Sequence, residues 1–262
     1  MVDGSAAGAG VLDGKVCVVM GIQNRWSIAY AIAEQMADAG GKLALTYVDE
    51  RAGRDASVLA EKHGGNGYIC NVASDEDLDK LAVDLQRDFG RVDVLVHSIG
   101  FAPAAELAGR FVETSREGFR VALDISCYSL TAAAQRIAPL MSEGGSIMTL
   151  THLGADRAFP KYNVMGVAKA ALEASVRYLA YDLGAQQIRV NAISAGPIKT
   201  AAARGIPGFA DMYGALVERA PLKAEFGQQQ VAGVAVFLAS DASAAVTAET
   251  IFVDNGYNKM GM

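Results

Sequence analysis

Proline is scarce in this sequence, six among 262 residues, or about 2% against a usual 5% or so. Long helices and strands are thus spared the residue that most often breaks them. Cysteine is scarcer, at three, and Cys17, Cys70 and Cys127 stand apart without C-x-x-C spacing. An odd, scattered set in apolar surroundings excludes a disulfide framework and reads as buried, reduced thiols of a cytoplasmic protein; no metal centre is expected. Positive charge is also short. Lys plus Arg number 23 against 29 Asp plus Glu, for a net charge of −6 and a pI near 5.1. With no basic run longer than two residues, nucleic acid is excluded as a partner. No stretch of 18 apolar residues escapes interruption, which excludes a membrane-spanning helix. The opening MVDGSAAGAG has neither the basic nor the apolar region of a signal peptide, and residues 1–12 read as a flexible leader.

Apolar residues and glycine are plentiful. The former reach 52%, enough to bury a core and too much for a disordered chain. The 28 glycines are about 11% against a usual 7% or so, an excess that suits many tight turns between strands and helices.

Apolar, β-rich runs alternate with segments of helical period from end to end, with no repeat or linker. One domain spanning residues 1–262 is expected. Strands are read at 15–20, 42–47, 67–70, 92–97, 146–151, 188–193 and 251–253. Runs such as KVCVVM and VDVLVH are nearly all apolar, as strands covered on both faces must be. Helices are read at 27–39, 55–62, 75–89, 116–141, 162–183 and 228–240. Strands and helices in strict alternation imply an α/β fold, a Rossmann-like, doubly wound, seven-stranded parallel sheet with helices on both faces. Ligands of such sheets bind beyond the carboxyl ends of the strands, so the residues just after each strand carry the search for chemistry.

After the first strand stands Gly21, and Ser27-Ile28-Ala29-Tyr30 opens a helix. Ser27 suits an N-cap, and the positive end of that helix suits a pyrophosphate. The G-x-G-x-x-G fingerprint is missing. After the second strand come Asp49 and Glu50, acids of the kind that bond adenosine ribose hydroxyls and repel a 2′-phosphate; Arg51 and Arg54 close by oppose that preference, and all four also suit a solvated surface. Asn71-Val72 follow the third strand and Ser98-Ile99-Gly100 the fourth. Four strand ends compatible with one dinucleotide favour such a cofactor, NADH over NADPH.

The sharpest local feature lies after the fifth strand, where Thr151-His152 precede Tyr162 and Lys169 on one helix. Seven residues make nearly two turns, about 10 Å of rise, so both side chains share a face. An ammonium near a phenol favours tyrosinate, making the phenol a better proton donor to a developing oxyanion. An ordinary amphipathic helix with a surface lysine has the same spacing.

With these residues the sequence resembles the divergent short-chain dehydrogenase/reductases that act as bacterial enoyl-acyl-carrier-protein reductases. The likeness runs from about Lys15 to Tyr257 and rests on Ser27-Ile28-Ala29, His97 to Pro103, Tyr162 to Lys169 and Asn191 to Ile198. Ordinary short-chain reductases carry Y-x3-K; the Y-x6-K spacing and the single-glycine first turn mark the enoyl reductase branch. The resemblance implies hydride transfer from NADH to the β-carbon of a trans-2-enoyl thioester on acyl-carrier protein, in fatty-acid elongation, by a homotetramer. It implies that Tyr162 bonds the enolate oxygen and Lys169 the nicotinamide ribose. Ser27 and Ile28 would meet the pyrophosphate, Asn71 and Val72 the adenine, Ser98, Ile99 and Gly100 the adenosine side, Ile198 and Thr200 the nicotinamide end. Residues 198–215 resemble a substrate lid, with Phe101, Ala102, Met165, Ile206 and Phe209 against the acyl chain or simply packed.

Two positions depart from the family. His152 stands where many relatives have a second tyrosine, either touching the thioester or filling space, and Val48 stands where relatives often carry a polar or basic cofactor contact. A same-scaffold reductase of another enoyl or keto substrate is the alternative reading. A cofactor-binding protein with a dead site is a further one, though both Tyr162 and Lys169 are present.

Overall fold

The computed structural model describes residues 10–198, 213–214 and 217–261. The seven strands are β1 (Val16–Met20), β2 (Lys42–Tyr47), β3 (Asn66–Ile69), β4 (Val94–His97), β5 (Gly145–Thr151), β6 (Ile188–Ala195) and β7 (Thr250–Val253). All pair in parallel in the order β3-β2-β1-β4-β5-β6-β7. The order reverses between β1 and β4, which opens a crevice at their carboxyl ends. Register aligns those ends, Met20 opposite His97, His97 opposite Thr149, and Thr151 opposite Ser194.

Helices α1 (Ile28–Asp38), α2 (Glu50–Lys62), α3 (Asp75–Phe89), α4 (Ala104–Leu107), α5 (Arg116–Leu123), α6 (Ser129–Ile137), α7 (Asn163–Leu183) and α8 (Gln228–Ala239) follow in chain order. Alternate residues of each strand face opposite layers. Val19, Leu43, Leu45 and Ile193 pack under α1, α2 and α8, whereas Val18, Met20, Leu95 and Val190 pack under α3, α6 and α7. No described helix is long and apolar enough to cross a membrane, and the described residues hold no cluster of three or more metal-ligating side chains.

Three sequence-based boundaries move. Helix α2 begins at Glu50, five residues earlier than expected, because the carboxylate of Asp49 caps it by accepting from the Ala52 amide at 2.8 Å. The helix expected over 116–141 is interrupted by a π turn at Asp124–Tyr128 between α5 and α6, and it ends in a 3₁₀ turn at Ala138–Leu140. Leu12, the last residue of the leader expected over 1–12, belongs to the core. It is wholly buried and its amide bonds the carbonyl of Ala39, so apolar burial fixes the chain there; residues 1–9 lie outside the described ones.

Candidate active site

Beyond β1 the backbone turns at Gly21 with φ +92°. A Cβ there would sit 2.3 Å from the Ser98 carbonyl oxygen and 2.9 Å from the Ile99 side chain, so only glycine lets the loops after β1 and β4 close on each other. Ser27 caps α1 as its sequence position suggests, yet its hydroxyl is spent within the turn. It donates to the Asn24 carbonyl at 2.8 Å and accepts from the Tyr30 amide at 3.2 Å. The Ala31 amide bonds the Ser27 carbonyl, which leaves the amides of half-buried Ile28 and buried Ala29 at the positive end of the helix.

The neighbouring strand ends offer further surface. Asp49 is exposed beyond β2, one carboxylate oxygen engaged by the cap. Asn71 is exposed after β3; its side-chain oxygen accepts from the Ala73 amide and its own amide donates to Asp77. Val72 packs partly into the core. Ser98 and Ile99 are half-buried, and Gly100 is exposed. A side chain at Gly100 would come within 3.4 Å of the Lys169 ammonium, so this glycine keeps the space beside that cation clear. Phe101 is half-exposed and Ala102 half-buried. Ile198 is buried in the core beneath α1 and α8, and Met165 is buried on α7. Thr200, Ile206, Phe209 and most of the expected lid lie outside the described residues.

Lys169 is 7% exposed, and its ammonium donates to two main-chain carbonyls, Leu150 in β5 at 2.8 Å and Ile99 after β4 at 3.1 Å. Burial drives its pKa down to about 8, while Cys127 and Glu173 pull it upward. Two of its three protons are engaged, and one remains for a ligand.

Tyr162 stands at the N-cap of α7 and is partly exposed. Here the expectation of a tyrosinate-favouring lysine fails. Burial and the Glu173 carboxylate both raise the phenol well above its ordinary value, because the Lys169 ammonium is turned onto carbonyls two helical turns away. The hydroxyl has no partner among the described residues and stays a protonated, unspent donor.

His152, directly after β5, lies against Tyr162 with ring centres 5.0 Å apart and meets Phe159 edge-on at 5.7 Å. Its Nδ1 accepts from the Gly154 amide at 3.0 Å, which requires the proton on Nε2. Burial, then the Lys169 charge, lowers its pKa to about 4, so the ring is neutral at physiological pH and presents one N–H donor.

Two residues not expected from the sequence, Ser126 and Ser129, brace the site. The π turn carries Ser126 toward the loop after β4, where its hydroxyl accepts from the Phe101 amide at 2.8 Å and donates to the Phe101 carbonyl at 2.9 Å. Fully buried His97 joins Thr149 of β5 at 3.0 Å and Ser129 of α6 at 2.8 Å. Ser129 in turn donates to the Ile125 carbonyl at 2.6 Å, so the last residue of β4 is braced to the π turn. The five residues Asp124–Tyr128 carry no such signal in sequence, although π turns gather at functional sites. A positive helix end, a glycine clearance at Gly100 and a cation with one free proton together fit a pyrophosphate and a ribose at this edge.

Comparison with known proteins agrees with this geometry. The family model described as enoyl-(acyl carrier protein) reductase matches residues 21–258. The enoyl-[acyl-carrier-protein] reductase [NADH] FabI of Bacillus cereus is 47% identical over 254 residues, covering 96% of this chain and 99% of the relative. The enoyl-[acyl-carrier-protein] reductase [NADPH] FabI of Staphylococcus aureus is 48% identical over 250 residues, covering 94% and 98%. A crystal structure of the Bacillus cereus enoyl-acyl carrier protein reductase with NADP+ and indole naphthyridinone superimposes with a TM-score of 0.94 at 47% identity, covering 97% of this chain and all of the other. Its single seven-stranded Rossmann-like sheet, its donors at the end of β5 and these near full-length matches make the chain a member of the enoyl-(acyl carrier protein) reductase family.

Proposed function

We propose that the protein reduces trans-2-enoyl thioesters on acyl-carrier protein to saturated thioesters in fatty-acid elongation, taking hydride from NADH. The observation that carries this reading is the grouping of Tyr162, His152 and Lys169 at one strand end beside the positive end of α1. Bound there, the dinucleotide supplies the hydride for the β-carbon. The chain's own residues supply the rest. As negative charge grows on the thioester oxygen, the phenol of Tyr162, held protonated by burial, donates a hydrogen bond to it and then the proton, and the enol so formed tautomerises by moving that proton to the α-carbon, which gives the saturated thioester. His152 offers Nε2–H beside the phenol as a second, neutral donor, in place of the tyrosine that many relatives have.

Lys169 holds the nicotinamide ribose with its remaining proton, its head fixed by the Ile99 and Leu150 carbonyls. The amides of Ile28 and Ala29 receive the pyrophosphate, with Ser27 acting by shaping the turn. Asp49 and the Asn71-Val72 segment border the adenosine half, and Ser98, Ile99 and Gly100 line its path. Ile198 and Thr200 bound the nicotinamide end, and Phe101, Ala102, Met165, Ile206 and Phe209 the acyl chain. The exposed carboxylate of Asp49 supports NADH over NADPH, since a 2′-phosphate would meet like charge.

Self-association as a homotetramer is supported by the outer face of α7, where Tyr178 and Tyr181 are 75% and 86% exposed, with Phe119 of α5 and Tyr128 of the π turn exposed as well. Exposed aromatic faces of this kind are usual at protein contacts; sedimentation should give four copies. Free, unpaired cysteines suit a cytoplasmic setting.

The test is NADH absorbance with crotonyl and dodecenoyl thioesters, with acetoacetyl thioester in parallel, repeated with NADPH. Oxidation with the enoyl substrates is expected. No oxidation with either would end this reading, and oxidation by the acetoacetyl ester alone would move the protein to a keto substrate, the direction in which the histidine at position 152 points.

A further inference from the structure

Two consecutive residues at the end of β5 are held to one helix by opposite means. Leu150 offers its carbonyl to the Lys169 ammonium at 2.8 Å, and Thr151 donates its hydroxyl to the Glu173 carboxylate at 2.7 Å. Glu173 follows Lys169 by one turn of α7, so both acceptor and donor of this double clip sit on a single helical face. The same carboxylate borders a cleft with Asp156, Arg157, Phe252 and Lys259, on the flank of the site toward β7. Thr151 is buried and leads directly into His152.

Resting on the reading of Tyr162 and Lys169 given above, we propose that Glu173 is a positioning residue of the catalytic pair, clipping the end of β5 to α7 through Thr151 and setting a carboxylate one helical turn from Lys169. The groups facing Lys169 are Cys127 from the π turn, His97 from β4, His152 after β5, and Glu173 from its own helix. Burial holds both histidines uncharged; Cys127 and then Glu173 draw the lysine toward its charged form, and Glu173 is the one carboxylate among the four. Around Glu173 itself stand Thr151, Arg177, Asp156 and Lys169. Its charge also raises the Tyr162 phenol, so one side chain favours the required form of both members: ammonium on the lysine, undissociated phenol on the tyrosine.

Glu173→Gln keeps an acceptor for Thr151 and removes only the charge; Thr151→Val keeps the charge and removes the hydrogen bond. In the full-length enzyme, the Lys169 ammonium is followed by NMR of ¹³Cε-labelled lysine, assigned with Lys169→Met, alongside kcat/KM against pH. Loss of a nearby opposite charge lowers a lysine pKa, so Glu173→Gln is expected to move the Lys169 midpoint down by about 0.5–1 pH unit. Its kcat/KM should then fall roughly three- to tenfold at pH 8.5 and less than about twofold at pH 6.5. Thr151→Val should lower kcat/KM alike at every pH, and Glu173→Asp should restore the wild-type profile. An unmoved Lys169 midpoint in Glu173→Gln, with activity reduced equally at all pH values, would overturn the proposal and leave Glu173 merely structural. The NMR midpoint needs no turnover, so a wild type inactive on enoyl thioesters defeats the proposed reaction without deciding the role of Glu173.

Discussion

The imidazole of His152 and the phenol of Tyr162, ten residues apart in the chain, meet with ring centres 5.0 Å apart and planes tilted by 45°. The Gly154 amide fixes the histidine's proton on the outer nitrogen, so the pair presents two donors of different acidity side by side. What each contributes can be separated by substitution.

Tyr162→Phe keeps the ring against His152 and deletes the hydroxyl. Loss of a positioned proton donor should lower kcat by roughly 10²–10⁴-fold. NADH affinity, read by fluorescence, should stay within about twofold, because the cofactor contacts proposed above lie on Lys169 and α1. Parallel loss of both would assign the phenol a structural role.

His152 is held near a pKa of about 4, so its charge does not change between pH 5.5 and 9. His152→Phe should therefore give a pH profile of kcat/KM with unaltered shape. Its height should drop roughly two- to tenfold, the worth of one neutral hydrogen bond of about 0.5–1.5 kcal/mol. An inflection between pH 5.5 and 7.5 in the wild type that vanishes in His152→Phe would mean that the ring titrates during turnover, and coincident profiles would reduce His152 to a space-filler.

Burial brings Lys169 down to about 8. Below that value the ammonium is present; as pH rises through it, the charge and one donated proton are lost. Dissociation constants for NADH should be level from pH 6 to 7.5 and increase above pH 8. In Lys169→Met binding should be weak and level across the range. An alkaline limb that survives in Lys169→Met belongs to another group.

Gly21→Ala forces a Cβ to within 2.3 Å of a carbonyl oxygen at a positive φ. The loops after β1 and β4 must then part, with a stability loss of about 1–3 kcal/mol and loss of NADH binding. Gly233→Ala in α8 serves as the control. It meets only the Gln35 side chain, at 3.9 Å, so thermal unfolding should show no loss, or a gain of about 0.4–1 kcal/mol.

The sheet was legible because its strands are continuous apolar runs bounded by glycine and polar residues. Strand β2 and helix α3 lie at the bounds read from sequence, and most others within two residues. Asp49 misled the placement of α2, since an acid after a strand reads equally as a ribose ligand or a cap. The π turn escaped notice because Asp124–Tyr128 contains no helix breaker; its cause is the distant Phe101 backbone that Ser126 bonds. For Lys169, spacing gave the right face of the helix and the wrong partner. Its acceptors are carbonyls of Ile99 and Leu150, and every residue has a carbonyl, so composition holds no trace of them. Leu12 has no apolar run beside it in sequence to mark it as core, although its neighbours in space are core residues.

The two carbonyls that receive Lys169 come from adjoining strand ends, one beyond β4 and one in β5, so a single cation spans the rim of the crevice. A lysine side chain has about 2 kcal/mol of rotamer entropy to lose, and here that loss falls on folding instead of on ligand capture. The site is thus stiff before any cofactor arrives. Arginine would not reproduce this, because its donors are spread over three nitrogens in one plane, whereas the ammonium turns all three protons outward from a single atom.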